Sequence, residues 1–203
     1  MLRFRILHRQ RVDPLRDERG SALLEFAIAL PLLVVFVVGI YDFSGASNQK
    51  QKIEQAAEEG AVLAAAQPRS DVQQTAANQV AMQPVVVAIF NSLAASGVLP
   101  KANTGGGCLM PPPTPTSAGP LAWTYTIFGC SAYSSDQLVI TINRGWVCPA
   151  PCSAGPPMAL GTSATVTYPY HWQFNSVIQL LIPGASYAAI TKLTETATVH
   201  NQL

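Results

Sequence analysis

The stretch RGSALLEFAIALPLLVVFVVGIY, Arg19–Tyr41, decides how the rest of the chain is read. It holds one acid, Glu25, at the mouth of an apolar run, and one helix irregularity, Pro31. No residue from Phe26 to Tyr41 is charged. Ser21–Tyr41 is 21 residues. At ~1.5 Å per residue a helix of that length reaches about 30 Å, the thickness of a bilayer's hydrocarbon core. An acid at the centre of such a helix costs ~2.5–3.5 kcal/mol. Glu25 lies one turn from the polar end, where the interface is within reach and the cost falls.

N-terminal to this run, residues 1–20 carry Arg3, Arg5, Arg9, Arg11, Arg16 and Arg19 against Asp13, Asp17 and Glu18, a balance of +3. Half of the chain's 12 Lys and Arg therefore precede the apolar segment. The positive-inside rule then keeps the N-terminus cytoplasmic and exports the C-terminal bulk. The three acids argue against an organelle transit peptide. A cleaved signal peptide is also poorly signalled, because the nearest small residues, Ser44, Gly45 and Ala46, follow an unusually long apolar core. Across the 203 residues only 11% are charged, against ~25% in a typical soluble domain. The net charge of +1 argues against general nucleic-acid binding.

C-terminal to the run, the helix is expected to continue to about residue 66. Ile53, Ala56, Ala57, Gly60, Ala61 and Ala64 then share one narrow face at three- and four-residue spacing, suited to packing on the chain's own domain. A capping-box pattern at Ser70–Gln73 predicts a second helix over 71–83. Pro84 opens a third over 85–96, with Val86, Ile89, Phe90 and Leu93 apolar and Gly97 as its stop. The Gly- and Pro-rich residues 97–120 read as a loop without a regular element.

After that loop the period changes from helical to alternating. Trp123, Tyr125 and Ile127 define one strand and Leu138, Ile140 and Ile142 its hairpin partner. Val166, Tyr168 and Tyr170 mark a third strand, and Leu193, Ala197 and Val199 a fourth. Between them NSVIQLLIPG reads as a short helix or an apolar loop. The expected fold class is α+β: a long N-terminal transmembrane helix continuing into an exported domain of helices plus a mostly antiparallel sheet of about four strands. The expected organisation is a leader over 1–20, a membrane helix over 21–43 and an exported domain over 44–203.

Cys108, Cys130, Cys148 and Cys152 all fall on the exported side, and an even count there reads as two disulfides. Cys108 with Cys148 or Cys152 is geometrically easy, while Cys130 sits at the far end of the hairpin. Four cysteines allow three pairings, and spacing does not choose among them. Metal ligation is disfavoured by the three-residue gap in CPAPC and by isolated His171 and His200. No catalytic set is visible. GTSAT lacks the second glycine of a nucleophile elbow, and His171 reads as a packing or surface residue. Tyr168, Tyr170, Trp172 and Phe174 read as core plus sheet edge rather than a sugar or subunit site.

Gly20, then four small or apolar residues, then Glu25 and Phe26, directly after Arg19, resembles the prepilin-peptidase motif of class-III type IV prepilins. The continuation EFAIALPLLVVFVVGIYDFSGA, with Pro31 six residues after Glu25 and Asp42 just past the apolar run, is similar to the TadE-like family of tight-adherence (Tad/Flp) pilus pseudopilins. The small-residue stretch AAEEGAVLAAA resembles it too. The close likeness covers about residues 19–66.

The resemblance implies a minor pilin-like subunit that takes part in assembly of an adhesion pilus. A membrane peptidase would cut between Gly20 and Ser21, remove the basic leader and leave the apolar helix at the new N-terminus. Glu25, with Phe26, would serve recognition and docking. Its carboxylate would pair with the free α-amino group of a neighbouring subunit, or within its own chain with that of Ser21. Pro31 would allow a kink or is a tolerated membrane proline. The implied partners are prepilin peptidase, other pilin and pseudopilin subunits, the Tad secretion machinery and inner-membrane lipid, with no nucleic acid and no cofactor. The implied location is the bacterial inner membrane in a single pass, with the C-terminus periplasmic or extracellular. The competing reading is a single-pass anchor that displays a periplasmic binding module.

Overall fold

The computed structural model describes residues 18–67, 82–99, 108, 111–112, 114–119, 121–130, 136–146, 161–172, 174, 184 and 190–201. The chain divides into two compact units, Met1–Tyr41 and Asp42–Leu203.

In the first unit the described residues are all helical and belong to α1, Glu18–Ala65. Leu, Ile, Val, Phe and Ala supply high helix propensity or simple apolar bulk, and Pro31 is the only proline inside the helix. The side chains of residues 20–41 are exposed or half-buried, with Leu23, Ile28 and Ile40 each about 70% exposed. Mean hydropathy reaches 2.7 in the most apolar part of this helix, which is long and apolar enough to cross a membrane. An apolar surface this continuous needs lipid or protein to cover it.

In the second unit α1 continues from Asp42 to Ala65. Ile53, Ala56, Ala57, Ala61 and Ala64 are fully buried, and Gly60 is buried with them, so the small-residue face packs into the chain's own domain. A second helix, α2, spans Gln83–Ala95 with Pro84 in its first turn, where a missing N–H costs nothing. Val85, Val86, Ile89, Phe90 and Leu93 are its buried face. It stops as expected: Gly97 takes φ +74°, and the Val98 amide donates back to the Leu93 carbonyl at 3.0 Å. The helix expected over 71–83 lies outside the described residues except at its last two positions, and NSVIQLLIPG lies outside them except for its closing Gly184.

The sheet is antiparallel throughout, in the order β1-β2-β3-β4-β5: β1 Ser117–Gly119, β2 Ala122–Phe128, β3 Gln137–Trp146, β4 Gly161–His171 and β5 Ile190–His200. The four longer strands are the expected ones, and Tyr125 pairs with Ile140 as the hairpin reading requires. Alternation puts Trp123, Tyr125, Ile127, Leu138, Ile140, Ile142, Ala164, Val166 and Tyr168 into one core with α1 and α2. The opposite face is threonine-rich, and hydroxyl pairs cross it at Thr165–Thr196 (2.9 Å) and Thr167–Thr194 (3.0 Å).

One expectation is corrected here. Residues 97–120 do contain a regular element, the three-residue β1. Strand pairing with β2, plus the Thr116 amide bonded to the Thr124 carbonyl at 2.8 Å, outweighs the local glycine and proline content.

Candidate functional site

The residues singled out for processing and docking lie on the first half of α1. Gly20, Ser21, Glu25 and Phe26 are exposed. Ser21 and Glu25 are one turn apart and therefore share a helix face. Nothing lies within 4 Å of the position a β-carbon would take on Gly20, so its backbone is open to close approach. Pro31 removes one amide from the hydrogen-bond ladder, yet α1 is helical on both sides of it.

Beyond the apolar run the helix is seated on the domain by polar contacts. Asp42 is buried, 2% exposed. Its Oδ2 accepts the Phe174 amide at 2.8 Å, and its Oδ1 and carbonyl oxygen both accept the Tyr170 hydroxyl at 3.0 Å. One turn on, a β-carbon on Gly45 would stand 2.9 Å from that hydroxyl, so glycine is what lets Tyr170 reach the helix. Two turns past Asp42, Lys50 pairs with Glu195 of β5 at 3.4 Å. At the helix's other end the buried Arg144 donates from Nη2 to the Gln67 carbonyl at 2.7 Å, satisfying a carbonyl just past the last turn.

Residues 20–62 match the TadE-like protein family. Over that segment the chain is similar to the family. No curated protein and no solved structure matches the chain.

The TadE-like segment thus joins two surfaces. Its first half is apolar and uncovered within its own unit, and its second half is a close-packed core helix. In that second half Gly60 gives Ile89 its space, with Ala164 of β4 within 3.7 Å of the same position.

The aromatic series YPYHWQF divides between core and edge. Tyr168 is 5% exposed and donates to the Cys130 carbonyl at 2.6 Å. Burial, and then the charge of Asp136, push its phenol up to about 12, and burial does the same to Tyr125. Tyr170 holds Asp42, and the Trp172 ring meets it edge-on with centroids 5.0 Å apart. The Trp172 indole N–H donates to Thr191 Oγ1 at 2.7 Å. His171 is not isolated: its Nε2 pairs with Oδ2 of the buried Asp136. The side chain is a structural partner, and its signal in the sequence was too distant to see, 35 residues away.

Cys108 bonds to Cys130, with Cα atoms 4.2 Å apart. The easier pairing of Cys108 with Cys148 or Cys152 is therefore not formed. The reason is β1. Running antiparallel to β2, it carries the preceding chain towards the Gly129–Cys130 end of the hairpin rather than its start. Cys148 and Cys152 lie outside the described residues.

Three contributors were missed in the sequence. Asp136 and Arg144 sit in turn and strand-end positions that look solvated. Glu195 did leave a signal: it occupies the inward parity of β5 between Leu193 and Ala197, and an acid there calls for a partner from the covering helix.

Proposed function

We propose that this protein is a minor pseudopilin of a Tad/Flp adhesion pilus, held in the bacterial inner membrane by α1 until it is taken into an assembly. The observation that carries this reading is the TadE-like match over 20–62, which coincides with a helix whose first half is uncharged from Phe26 to Tyr41 and is uncovered. The TadE-like likeness points to a Tad pilus-associated protein. The finer roles follow from the chemistry of the helix.

Prepilin peptidase cuts between Gly20 and Ser21 on the cytoplasmic side. The open backbone at Gly20 suits a protease groove that needs close approach. The cut removes six arginines and leaves residues 21–203 with six Lys and Arg against eight Asp and Glu, so far less positive charge retains the helix on the cytoplasmic side. It also creates a cation at Ser21. Glu25, exposed on the helix, pairs with the α-amino group of a neighbouring subunit, because a carboxylate in an apolar assembly requires a counter-charge. Phe26 supports recognition, and Pro31 gives the helix a local break in its ladder during packing. The domain from about residue 44 is displayed on the periplasmic or extracellular side, where its disulfide is stable.

Intact-mass and N-terminal measurement of the protein from a Tad-positive host tests the reading. The mature chain is expected to begin at Ser21 and to retain the leader when Gly20 is replaced or the peptidase is absent. A chain beginning at Met1 in the presence of the peptidase, or cut after Ala46, sinks it. Glu25→Ala is expected to be cleaved normally and to assemble poorly.

A further inference from the structure

We propose that the end of the exported domain beside Asp42 is a membrane-interface surface, in which Phe43, Trp172 and Phe174 enter the lipid headgroup layer. This rests on reading Ser21–Tyr41 as a membrane span.

A span from Ser21 to Tyr41 uses about 30 Å of helix, so Asp42 is the first residue beyond the hydrocarbon. Whatever lies within a hydrogen bond of Asp42 shares its depth. The Phe174 amide is 2.8 Å from Asp42 Oδ2, and the Tyr170 hydroxyl is 3.0 Å from Oδ1. Tyr170 and Phe174 are therefore held at the boundary of the bilayer, and Trp172 lies between these two fixed points in the sequence, its ring against that of Tyr170.

The chemistry of this end fits a headgroup layer. Phe43 follows Asp42 on the helix, turns about 100° away from it, and is 69% exposed. Trp172 and Phe174 are half-buried. Ring side chains with one polar edge concentrate at membrane interfaces, because part of the ring gains from the acyl boundary while the polar group stays hydrogen-bonded. The Trp172 N–H has such a bond, to Thr191. The only acid here that directly follows the span, Asp42, is 2% exposed and enclosed by neutral donors, so it presents no carboxylate to anionic lipid. His171 pairs with Asp136. The aromatic series of YPYHWQF, of which Tyr168 alone enters the core, thereby acquires a role.

The test uses the full chain in phosphatidylglycerol–phosphatidylcholine vesicles, with the phosphatidylcholine brominated either near the headgroup end of its acyl chains or near their tips. Flotation after an alkaline wash reports the span. Tryptophan quenching, compared between the wild type and Trp172→Phe, reports the surface. Shallow bromines are expected to quench a share of the wild-type emission that is missing from the variant, and deep bromines to quench that share less. Floated protein whose quenching by shallow bromines is the same in wild type and variant overturns the interface surface and leaves the span intact. Protein that fails to float overturns both. Trp172→Phe keeps a ring against Tyr170, and an unchanged melting profile shows that the comparison is between folded proteins.

Discussion

Gly60 of α1 and Ile89 of α2 share a space that holds one side chain and not two: a β-carbon on Gly60 would overlap both Cγ1 and Cδ1 of Ile89. Ile89 is fully buried, so it has no free direction in which to yield. Gly60→Ala is therefore expected to destabilise the domain by about 1–3 kcal/mol despite the higher helix propensity of alanine. In an Ile89→Ala background the same change is expected to cost much less, because the clash is gone. Melting of the four proteins of this cycle measures the coupling, and additive effects would refute the close packing.

Asp42 accepts hydrogen bonds from two donors more than a hundred residues away in the chain. Asp42→Ala is expected to cost about 1–3 kcal/mol by removing the carboxylate that accepts the Phe174 amide and one of the two Asp42 oxygens that accept the Tyr170 hydroxyl. Asp42→Asn keeps one carbonyl oxygen and is expected to lose less. An alanine variant that melts with the wild type would show that the seat contributes nothing.

The Cys108–Cys130 bond closes a loop across a sequence separation of 22. Loop-closure entropy alone gives about 3 kcal/mol for a loop of this size. Cys108→Ser with Cys130→Ser is expected to lower the melting temperature, and non-reducing peptide mapping of the wild type is expected to recover the 108–130 link. Recovery of Cys108 linked to Cys148 or Cys152 instead would refute the path assigned to β1.

Tyr125 and Tyr168 both carry phenols pushed from 10.0 up to about 12. A raised folded pKa means that the folded state holds the proton more tightly than the unfolded state. The stabilisation is complete below pH 10, the unfolded value, and is lost as pH rises from there towards 12. Alkaline unfolding monitored by circular dichroism is expected in that window, with Tyr168→Phe shifting its midpoint upward. Titration of all six tyrosines near pH 10 with the fold intact would contradict the burial of these two.

Much of the fold was legible because it depends on local periodicity. The apolar run, the 53–64 small face, the Pro84 start and Gly97 stop of α2, and four alternating strands each declare themselves within one short stretch of adjacent residues. The TadE-like likeness was legible for the same reason, since Gly20, Glu25, Pro31 and Asp42 are spaced along one helix. What escaped is what depends on partners far apart in the chain: β1, a strand of three residues without its own pattern; the Cys108–Cys130 link that follows from it; and His171 with Asp136.

By itself, then, the sequence determined a membrane-length helix, its single acid and the order of helices before strands, because helix length, charge and alternation are properties of adjacent residues. Only the tertiary structure decided how the helix is used after Tyr41. It turned Asp42 inward to Tyr170 and Phe174, and gave Gly60 to Ile89. Those outcomes depend on which atoms meet between residues far apart in the chain, and a buried polar group accepts only the partner that the whole fold delivers to it.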